Sequence, residues 1–349
     1  MFSDLLGSHF TVSTQQTLLG LLPGPGGPPP ALLMLLALVL EWPTAGFAWA
    51  FRVLPHPVVL IGKLTAGFES RLNRDGRTRG VLRLRGAATV VVVVGLAAAV
   101  GAGIAYGCRL LPYGWLIELL VMVVLLAQRS LFAHVRRVAT ALRAGGVVAG
   151  RDAVRHIVGR DAAALDEYAV ARAAIESCAE NFSDAVVAPV FWYLLLGLPG
   201  MLAYKAVNTL DSMIGHHTPR YEQFGKAAAR LDDLANLIPA RLSALILALA
   251  AIATPTANPW RAFATVFRDA RKHRSPNAGW PEAAMAGALG LALAGPRPYH
   301  GQMQAGPWIG GGVARARPHD ITRALYLYAV ACLLAMAATA AASLLPVLI

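Results

Sequence analysis

Charge is scarce in this chain. Only 14% of its 349 residues are Asp, Glu, Lys or Arg, against roughly 25% in an average soluble domain, while 56% are hydrophobic. That balance excludes an ordinary soluble enzyme and a disordered polypeptide, and indicates an integral membrane protein. Cysteine is nearly missing as well. Cys108, Cys178 and Cys332 lie far apart, so neither a zinc-ligand spacing nor a disulfide framework is present, and small apolar packing residues are expected. No phosphate loop, Gly-x-Ser-x-Gly elbow or His-Glu-x-x-His helix occurs. Gly145 to Gly150 leads into Arg151-Asp152, without the Lys and hydroxyl that would cradle a nucleotide. A positive n-region is also lacking; the first thirty residues instead hold the Pro/Gly-rich run Pro23 to Pro30, which reads as a disordered extension over 1–30 and not as a signal peptide. Acids are the scarcer charge, 19 against 31 bases, for a formal net charge of +12. The excess bases flank apolar runs, where a positive-inside bias accounts for them, and no nucleic-acid partner is expected.

What the chain has in quantity is apolar sequence. A bilayer-spanning helix takes roughly 20 residues, and runs of that kind lie at about 31 to 53, 86 to 107 and 325 to 346, with a shorter one at about 114 to 128 following a tight turn at Cys108 to Tyr113. The segments 62 to 85 and 129 to 175 hold seven and eight Lys or Arg and read as cytoplasmic loops. Three further stretches, 186 to 206, 238 to 254 and 283 to 295, are ambiguous. The first contains Gly197-Leu-Pro199-Gly200, and a Pro-Gly break ends or kinks a helix. A broken or re-entrant helix there would keep the acids on either side of it together, which membrane proteins tolerate where the backbone lines a cavity. The expected fold is therefore all-α: a polytopic integral membrane protein with broken or re-entrant helices around a cytoplasmic-facing polar site. Residues 31–349 form one membrane-embedded domain in this reading, with the basic segments at 261 to 274 and 315 to 323 cytoplasmic and both termini outside.

Between Glu176 and Arg241 the charge balance inverts. This stretch carries seven of the nineteen acids and five of the thirty-one bases, a net −2 against +14 elsewhere. Ionised groups near lipid are costly unless paired or bound to a cation, so such a concentration marks a candidate site. Glu180 and Asp184, with Asn181, share a helical face; a helix N-terminus with an acidic first turn explains them equally well. Asn208 and Asp211 follow Tyr204-Lys205 and by themselves would be a helix terminus. Asp232, Asp233 and Asn236 place two oxygen donors at i and i+4, or i and i+3, on one face, a donor set suited to Mg²⁺ held by few protein ligands and substrate phosphates; structural ion pairs with Arg230 and Arg241 are the alternative. Lys205, Lys226, Arg230 and Arg241 are candidates to clamp an anion, Arg241 by a bidentate fork, although flanking positive charge accounts for Lys226. His216-His217 reads as a loop. The His56-Pro57-Val58 and Ser275-Pro276-Asn277-Ala278-Gly279-Trp280 turns sit at membrane boundaries and fit either a structural or a binding role. On these residues alone, a membrane prenyltransferase using Mg²⁺ and an isoprenoid diphosphate, or a transporter with a midplane site, remain open.

Taken in order, the pieces resemble the adenosylcobinamide-phosphate synthase family of cobalamin biosynthesis. The residues that carry the resemblance are His56-Pro57-Val58 with Ile61-Gly62, Ile157-Val158-Gly159-Arg160-Asp161, Glu176-Ser177 with Glu180-Asn181 and Asp184, Ala188-Pro189, and Tyr204 to Met213. They continue through Gly225, Ala229 to Asp233 with Asn236, Ile238-Pro239-Ala240-Arg241, and Ser275 to Glu282. Coverage begins near residue 31; Glu41-Trp42-Pro43 lies further upstream of His56 than the family pattern places its acid and Gly-Pro turn, and the Pro/Gly-rich extension is foreign to it. The resemblance implies a carbon-nitrogen ligase of the inner membrane, with its active face cytoplasmic, that joins adenosylcobyric acid to (R)-1-amino-2-propanol O-phosphate or to free aminopropanol, driven by ATP with Mg²⁺. It implies Asp232, Asp233 and Asn236 as metal ligands and Glu180, Asp184, Asp211, Lys205 and Arg241 as catalytic groups, with either Glu180 or Asp184 as the base. His56, Asn181, Asn208, Arg230, Ser275 and Asn277 would bind substrate. The corrinoid, the lipid membrane and later membrane enzymes of the pathway are the expected partners.

Overall fold

A computed structural model describes residues 27–44, 55–158, 162–216, 218–299, 302–304 and 306–348. The extension before residue 27, the second half of the run at 31 to 53, Gly159-Arg160-Asp161 and His217 fall outside the described residues. The chain is helical almost throughout. Twelve helices are described: α1 Pro30–Thr44, α2 Pro57–Leu72, α3 Arg79–Leu110, α4 Trp115–Leu125, α5 Gln128–Val154, α6 Glu167–Phe182, α7 Ala188–Ile214, α8 Lys226–Ala235, α9 Leu237–Ala250, α10 Pro259–Asp269, α11 Gly279–Leu289 and α12 Pro318–Leu348. A π-turn, Ser183–Val187, joins α6 to α7, and four short strands, β1 Leu293–Ala294, β2 Arg297–Tyr299, β3 Gln302–Gln304 and β4 Trp308–Ile309, pair antiparallel as β1 with β4 and β2 with β3.

By length and composition, four segments among the described residues can cross a membrane: Arg79–Leu110, Trp115–Val154, Glu167–Ile214 and Pro318–Leu344; Lys226–Ala235 with Leu237–Ala253 makes a fifth if that bent pair is one span. The all-α polytopic expectation holds, with differences in detail. The supposed loop at 62 to 85 is the end of α2 and the start of α3, and the one at 129 to 175 is largely α5 and α6. Basic composition reports which segments stay out of the hydrocarbon, not whether they coil. The stretch at 283 to 295 spans nothing: α11 is eleven residues long and stops at Gly290, whose φ of 69° makes a left-handed cap. Helix α1 is fifteen residues long, short of a span on its own.

The described chain forms two compact units, Met1–Leu126 with Ala188–Ala235 and Thr339–Ile349, and Ala127–Val187 with Asn236–Ala338. In the first, α3 packs along α7, and α8 rests on both. Val90, Val93, Ala206, Leu210, Ile214, Phe224 and Ala228 form its core. Close approach of the two long helices depends on small residues, as in other membrane bundles: a Cβ at Gly101 would sit 2.7 Å from Pro199 Cα. The intramembrane acid Glu118 is satisfied by the Tyr193 hydroxyl, which donates to it at 2.9 Å. Helix α7 breaks where the sequence predicts, at Gly197, with φ 66° and ψ −160°. Helix α5 of the second unit breaks in the same way at Gly146, with φ 64° and ψ −157°. That region of backbone space is essentially reserved for glycine.

In the second unit α5 packs on α6, α11 is buried against α9 and α10, and the π-turn rests on α9. Polar anchors hold its connections. Asp166 caps α6 by accepting from Ala169 N at 2.6 Å, and Asn258 caps α10 by accepting from Arg261 N at 2.9 Å, with Pro259 at the first helical position, the residue types favoured at those places. Glu176, inside the acidic stretch, is buried; its Oε1 accepts from Ala294 N at 2.8 Å, steadying a strand residue with φ 58°. Arg323 donates to the carbonyls of Thr256 and Leu289 at 2.7 and 3.0 Å and pairs with Asp320. All three cysteines are free and buried.

Candidate functional site

The first unit gathers half of the candidate residues. Lys205, Asn208 and Asp211 lie along the last turns of α7, and Arg230, Asp232 and Asp233 on α8, which packs against α7. Lys205 is buried, 7% exposed; Asn208, Asp211, Asp232 and Asp233 are half-buried and Arg230 is exposed. Asp211 is held over the end of its helix. Gly215 N donates to its backbone carbonyl at 2.7 Å, and its carboxylate Oδ1 occupies the place that a Cβ on residue 215 would take. A side chain at 215 would therefore push the carboxylate aside. His56, from the connection before α2, also belongs to this unit. Its Nδ1 accepts from Val58 N at 3.2 Å, capping α2, which leaves Nε2 as the protonated nitrogen, 3.2 Å from the Val124 carbonyl. Burial holds the imidazole below its ordinary value of 6.5, and nearby Lys205 lowers it further, against the hydrogen bond to Val124. Both ring nitrogens thus serve local structure.

The second unit holds Glu180, Asn181, Asp184, Asn236, Arg241, Ser275 and Asn277. Arg241 is its best-defined group. Its Nη1 donates to the Leu237 carbonyl at 2.7 Å and to Asn277 Oδ1 at 3.1 Å, and the guanidinium lies 4.4 Å from the centre of the Trp280 ring. Two motifs almost forty residues apart in sequence are thereby joined. Ser275 shapes the turn that presents Asn277: its Oγ accepts from Asn277 N and Ala278 N, each at 3.2 Å, while His273 Nδ1 accepts from Ser275 N at 3.0 Å. Glu282, buried, lies 3.9 Å from His273 Nε2. Trp280, His273 and Glu282 escaped the list of candidates. The first and last stood inside the matching Ser275 to Glu282 segment, and His273 carried no signal of its own.

Glu180 lies exposed in the last turn of α6, whereas Asp184 is half-buried in the π-turn. Helix continues on both sides of Asp184, so it is not an N-terminal cap. The turn begins between the two acids and alters their α-helical register; single π-turns recur at functional sites. Asn181 donates from Nδ2 to Ser177 O at 2.9 Å and Ser177 Oγ at 3.1 Å, and Ser177 in turn donates to the Ile157 carbonyl at 2.8 Å. Because the π-turn and α11 both pack on α9, the elements bearing Asp184, Arg241 and Asn277 are mutually supported.

The proposed Mg²⁺ ligands are divided by a joint. Asp232 and Asp233 are in α8, whereas Asn236, 2% exposed, sits between α8 and α9 with φ −93° and ψ −4°, so the three do not lie on one uninterrupted helix. Among the described residues no group of three or more His, Cys, Asp or Glu is placed to hold a metal. The donor chemistry fits a weaker arrangement, a hard cation met by two carboxylates and completed by substrate phosphates.

The sequence model of the family described as "CobD/Cbib protein" matches residues 34–328. The chain is 50% identical over 304 residues to the cobalamin biosynthesis protein CobD of a Sinorhizobium species, covering 86% of this chain and 94% of the relative. It is 49% identical over 316 residues to that of Rhizobium meliloti strain 1021, covering 90% and 97%, and 49% identical over 294 residues to that of Rhodobacter capsulatus, covering 83% and 89%. No solved structure matches at a significant level. With a match across most of its length, and relatives of nearly equal extent, the chain belongs to the CobD/Cbib protein family.

Proposed function

We propose that this protein is a membrane-bound amide synthase of cobalamin biosynthesis that condenses adenosylcobyric acid with (R)-1-amino-2-propanol O-phosphate, or with free aminopropanol, at the expense of ATP. The observation that carries the reading most directly is the Arg241–Asn277–Trp280 group. It fixes a guanidinium in a single orientation between two motifs of the matching family, and a fixed guanidinium fork suits phosphate. Nothing in the names of the relatives favours a prenyltransferase or a transporter.

A carboxylate is a poor acyl donor because its oxygen leaves badly. In the proposed chemistry a corrin propionate oxygen attacks the γ-phosphorus of ATP, the bond to the bridging oxygen breaks, and ADP departs. The amine nitrogen then attacks the acyl carbon of the resulting acyl phosphate, and inorganic phosphate leaves. Arg241 orients and neutralises the transferring phosphoryl group, with Lys205 supplying a second positive charge. Glu180 or Asp184 takes the proton from the incoming ammonium. Asp232 and Asp233 would hold Mg²⁺, which supplies charge neutralisation to the phosphates when bound. Asn208, Asp211 and Arg230 contribute to the polar surface of α7 and α8, and His56 caps α2 in the same unit; in the other unit Asn181 and Ser275 fix the backbone near Asp184 and Asn277. The proposed location is the inner membrane with this polar surface cytoplasmic, where ATP is found, and later pathway enzymes in the same membrane are the proposed recipients of the product.

The test is turnover by purified protein in detergent given adenosylcobyric acid, each form of the amino alcohol in turn, ATP and Mg²⁺, followed by mass spectrometry of the corrinoid. Amide product and equimolar ADP are expected with at least one form. No corrinoid amide, under conditions where a relative turns over, refutes the assignment. Asp232→Asn and Asp233→Asn are each expected to abolish turnover in folded protein; near-normal rates in both would remove the metal role.

A further inference from the structure

Helix α10, Pro259–Asp269, has a second face that neither the fold nor the proposed chemistry uses. Ala262, Thr265, Val266 and Asp269 are buried, on the side that packs against α11 and α9. On the other side Trp260 and Phe267 are 81% and 82% exposed, the two most exposed large apolar side chains among the described residues. They are seven residues apart and so stand one above the other on the helix, with Phe263 and Ala264 on the same arc.

The charges around this arc are almost all of one sign. Arg261, Arg268, Arg271, Lys272 and Arg274 are exposed, and the single acid in the same segment, Asp269, is turned inward, 1% exposed, accepting from Gly310 N at 2.8 Å while pairing with Arg268 and Lys272. Two aromatic rings flanked by guanidinium and ammonium groups are the pattern of a helix lying in the plane of a membrane surface, with its rings at the acyl boundary and its cations among anionic headgroups. Its place in the chain agrees. The apolar limb Leu237–Ala253 of the bent pair ends six residues before Pro259, and six residues reach at most about 22 Å. Asn258 N, which donates to the Ala288 carbonyl at 2.8 Å, fixes the entry of α10 against the end of α11.

We infer that α10 is an interfacial anchor: Trp260 and Phe267 insert at the acyl boundary of an anionic leaflet, and the flanking Arg and Lys side chains engage lipid phosphates. A protein partner or a second copy of this chain would be expected to bring acids to the same face; the bilayer that this chain already crosses supplies them without a partner. The inference is independent of the amide synthase reading.

The full-length protein in lipid nanodiscs tests it. Trp260 emission is isolated as the difference between wild type and Trp260→Phe, using phosphatidylcholine brominated at shallow or deep acyl positions, and Phe267→Trp supplies a second probe on the same face. Shallow bromines are expected to quench both probes at least twofold more than deep ones. Native mass spectrometry is expected to show preferential retention of phosphatidylglycerol over phosphatidylcholine, reduced severalfold by Arg261→Gln combined with Arg274→Gln. Quenching by aqueous iodide in place of bromolipid would overturn the inference in favour of a solvent-facing helix. Protection from both quenchers would overturn it in favour of a protein partner or a second copy, and unchanged lipid retention would remove the anionic preference.

Discussion

Replacing Arg241 by Lys separates orientation from charge at the candidate site. Lysine keeps the positive charge but cannot reproduce the planar guanidinium whose Nη1 donates to both Leu237 O and Asn277 Oδ1 and which lies 4.4 Å from the centre of the Trp280 ring. A hydrogen bond from a charged group contributes about 1.5 to 3 kcal/mol, and a guanidinium over an indole about 0.5 to 1 kcal/mol at a partly exposed site. Losing the Asn277 bond and the stacking together therefore removes ~2 to 4 kcal/mol of orientation, and solvent around this half-buried side chain discounts that to about 1.5 to 2.5 kcal/mol. Since 1.36 kcal/mol is tenfold in rate, kcat/KM for amide formation should fall by roughly 10- to 70-fold. The assay is initial-rate amide formation in detergent, with folding checked by monodispersity and thermal unfolding. Asn277→Ala should show a smaller loss, and the double variant should lose less than the product of the two single losses, because both act on one orientation. Arg241→Lys within about threefold of wild type, or fully multiplicative effects, would refute the reasoning and leave Arg241 as a general positive charge.

Asp269 should prove structural. Asp269→Asn keeps an acceptor for Gly310 N but loses two ion pairs to half-exposed partners, a cost of about 1 kcal/mol, whereas Asp269→Ala strands a buried N–H and should cost a further ~1 to 3 kcal/mol, measured by thermal unfolding in detergent. Its carboxyl is held far below the ordinary value of 3.8, first by the Arg268 hydrogen bond and against the cost of burial; the stabilisation is present above that ordinary value and should be lost only as pH falls towards the depressed one. His56 behaves differently: with its folded value lowered by burial, the unfolded chain takes up a proton first, so stability should fall as pH drops below about 6.5, and His56→Ala should abolish that component while costing ~1 kcal/mol for the lost cap. Gly215→Ala should displace the Asp211 carboxylate, lowering kcat/KM more than its effect on thermal stability would account for; equal activity would show that Asp211 does not act in the reaction.

How far the sequence was legible differs between the fold and the site. Membrane class, the spans at α3 and α12, and the break at Gly197 follow from composition and local chemistry, since apolar run length and backbone-restricted residues act within one segment. The helical character of α2 and α5 was hidden because basic loops and basic helices share a composition. The end of the run at 283 to 295 was obscured for a related reason: a short buried helix followed by a strand reads as one apolar stretch. At the site, the motif order was visible, and with it the family. The joint at Asn236 was not, because an Asp-Asp-x-x-Asn spacing looks continuous until packing bends it.

By itself, then, the sequence determined that this is an all-α membrane protein with its acids concentrated between Glu176 and Arg241, because solvation and helix geometry act residue by residue. Tertiary structure alone decided which of those polar groups bind one another. It turned Glu176 towards the distant backbone N–H of Ala294 and His56 towards that of Val58, and brought Arg241 to Asn277 and Trp280. It also turned the rings of Trp260 and Phe267 outward. Pairings between residues tens of positions apart depend on which helix faces meet, and no single segment encodes that meeting.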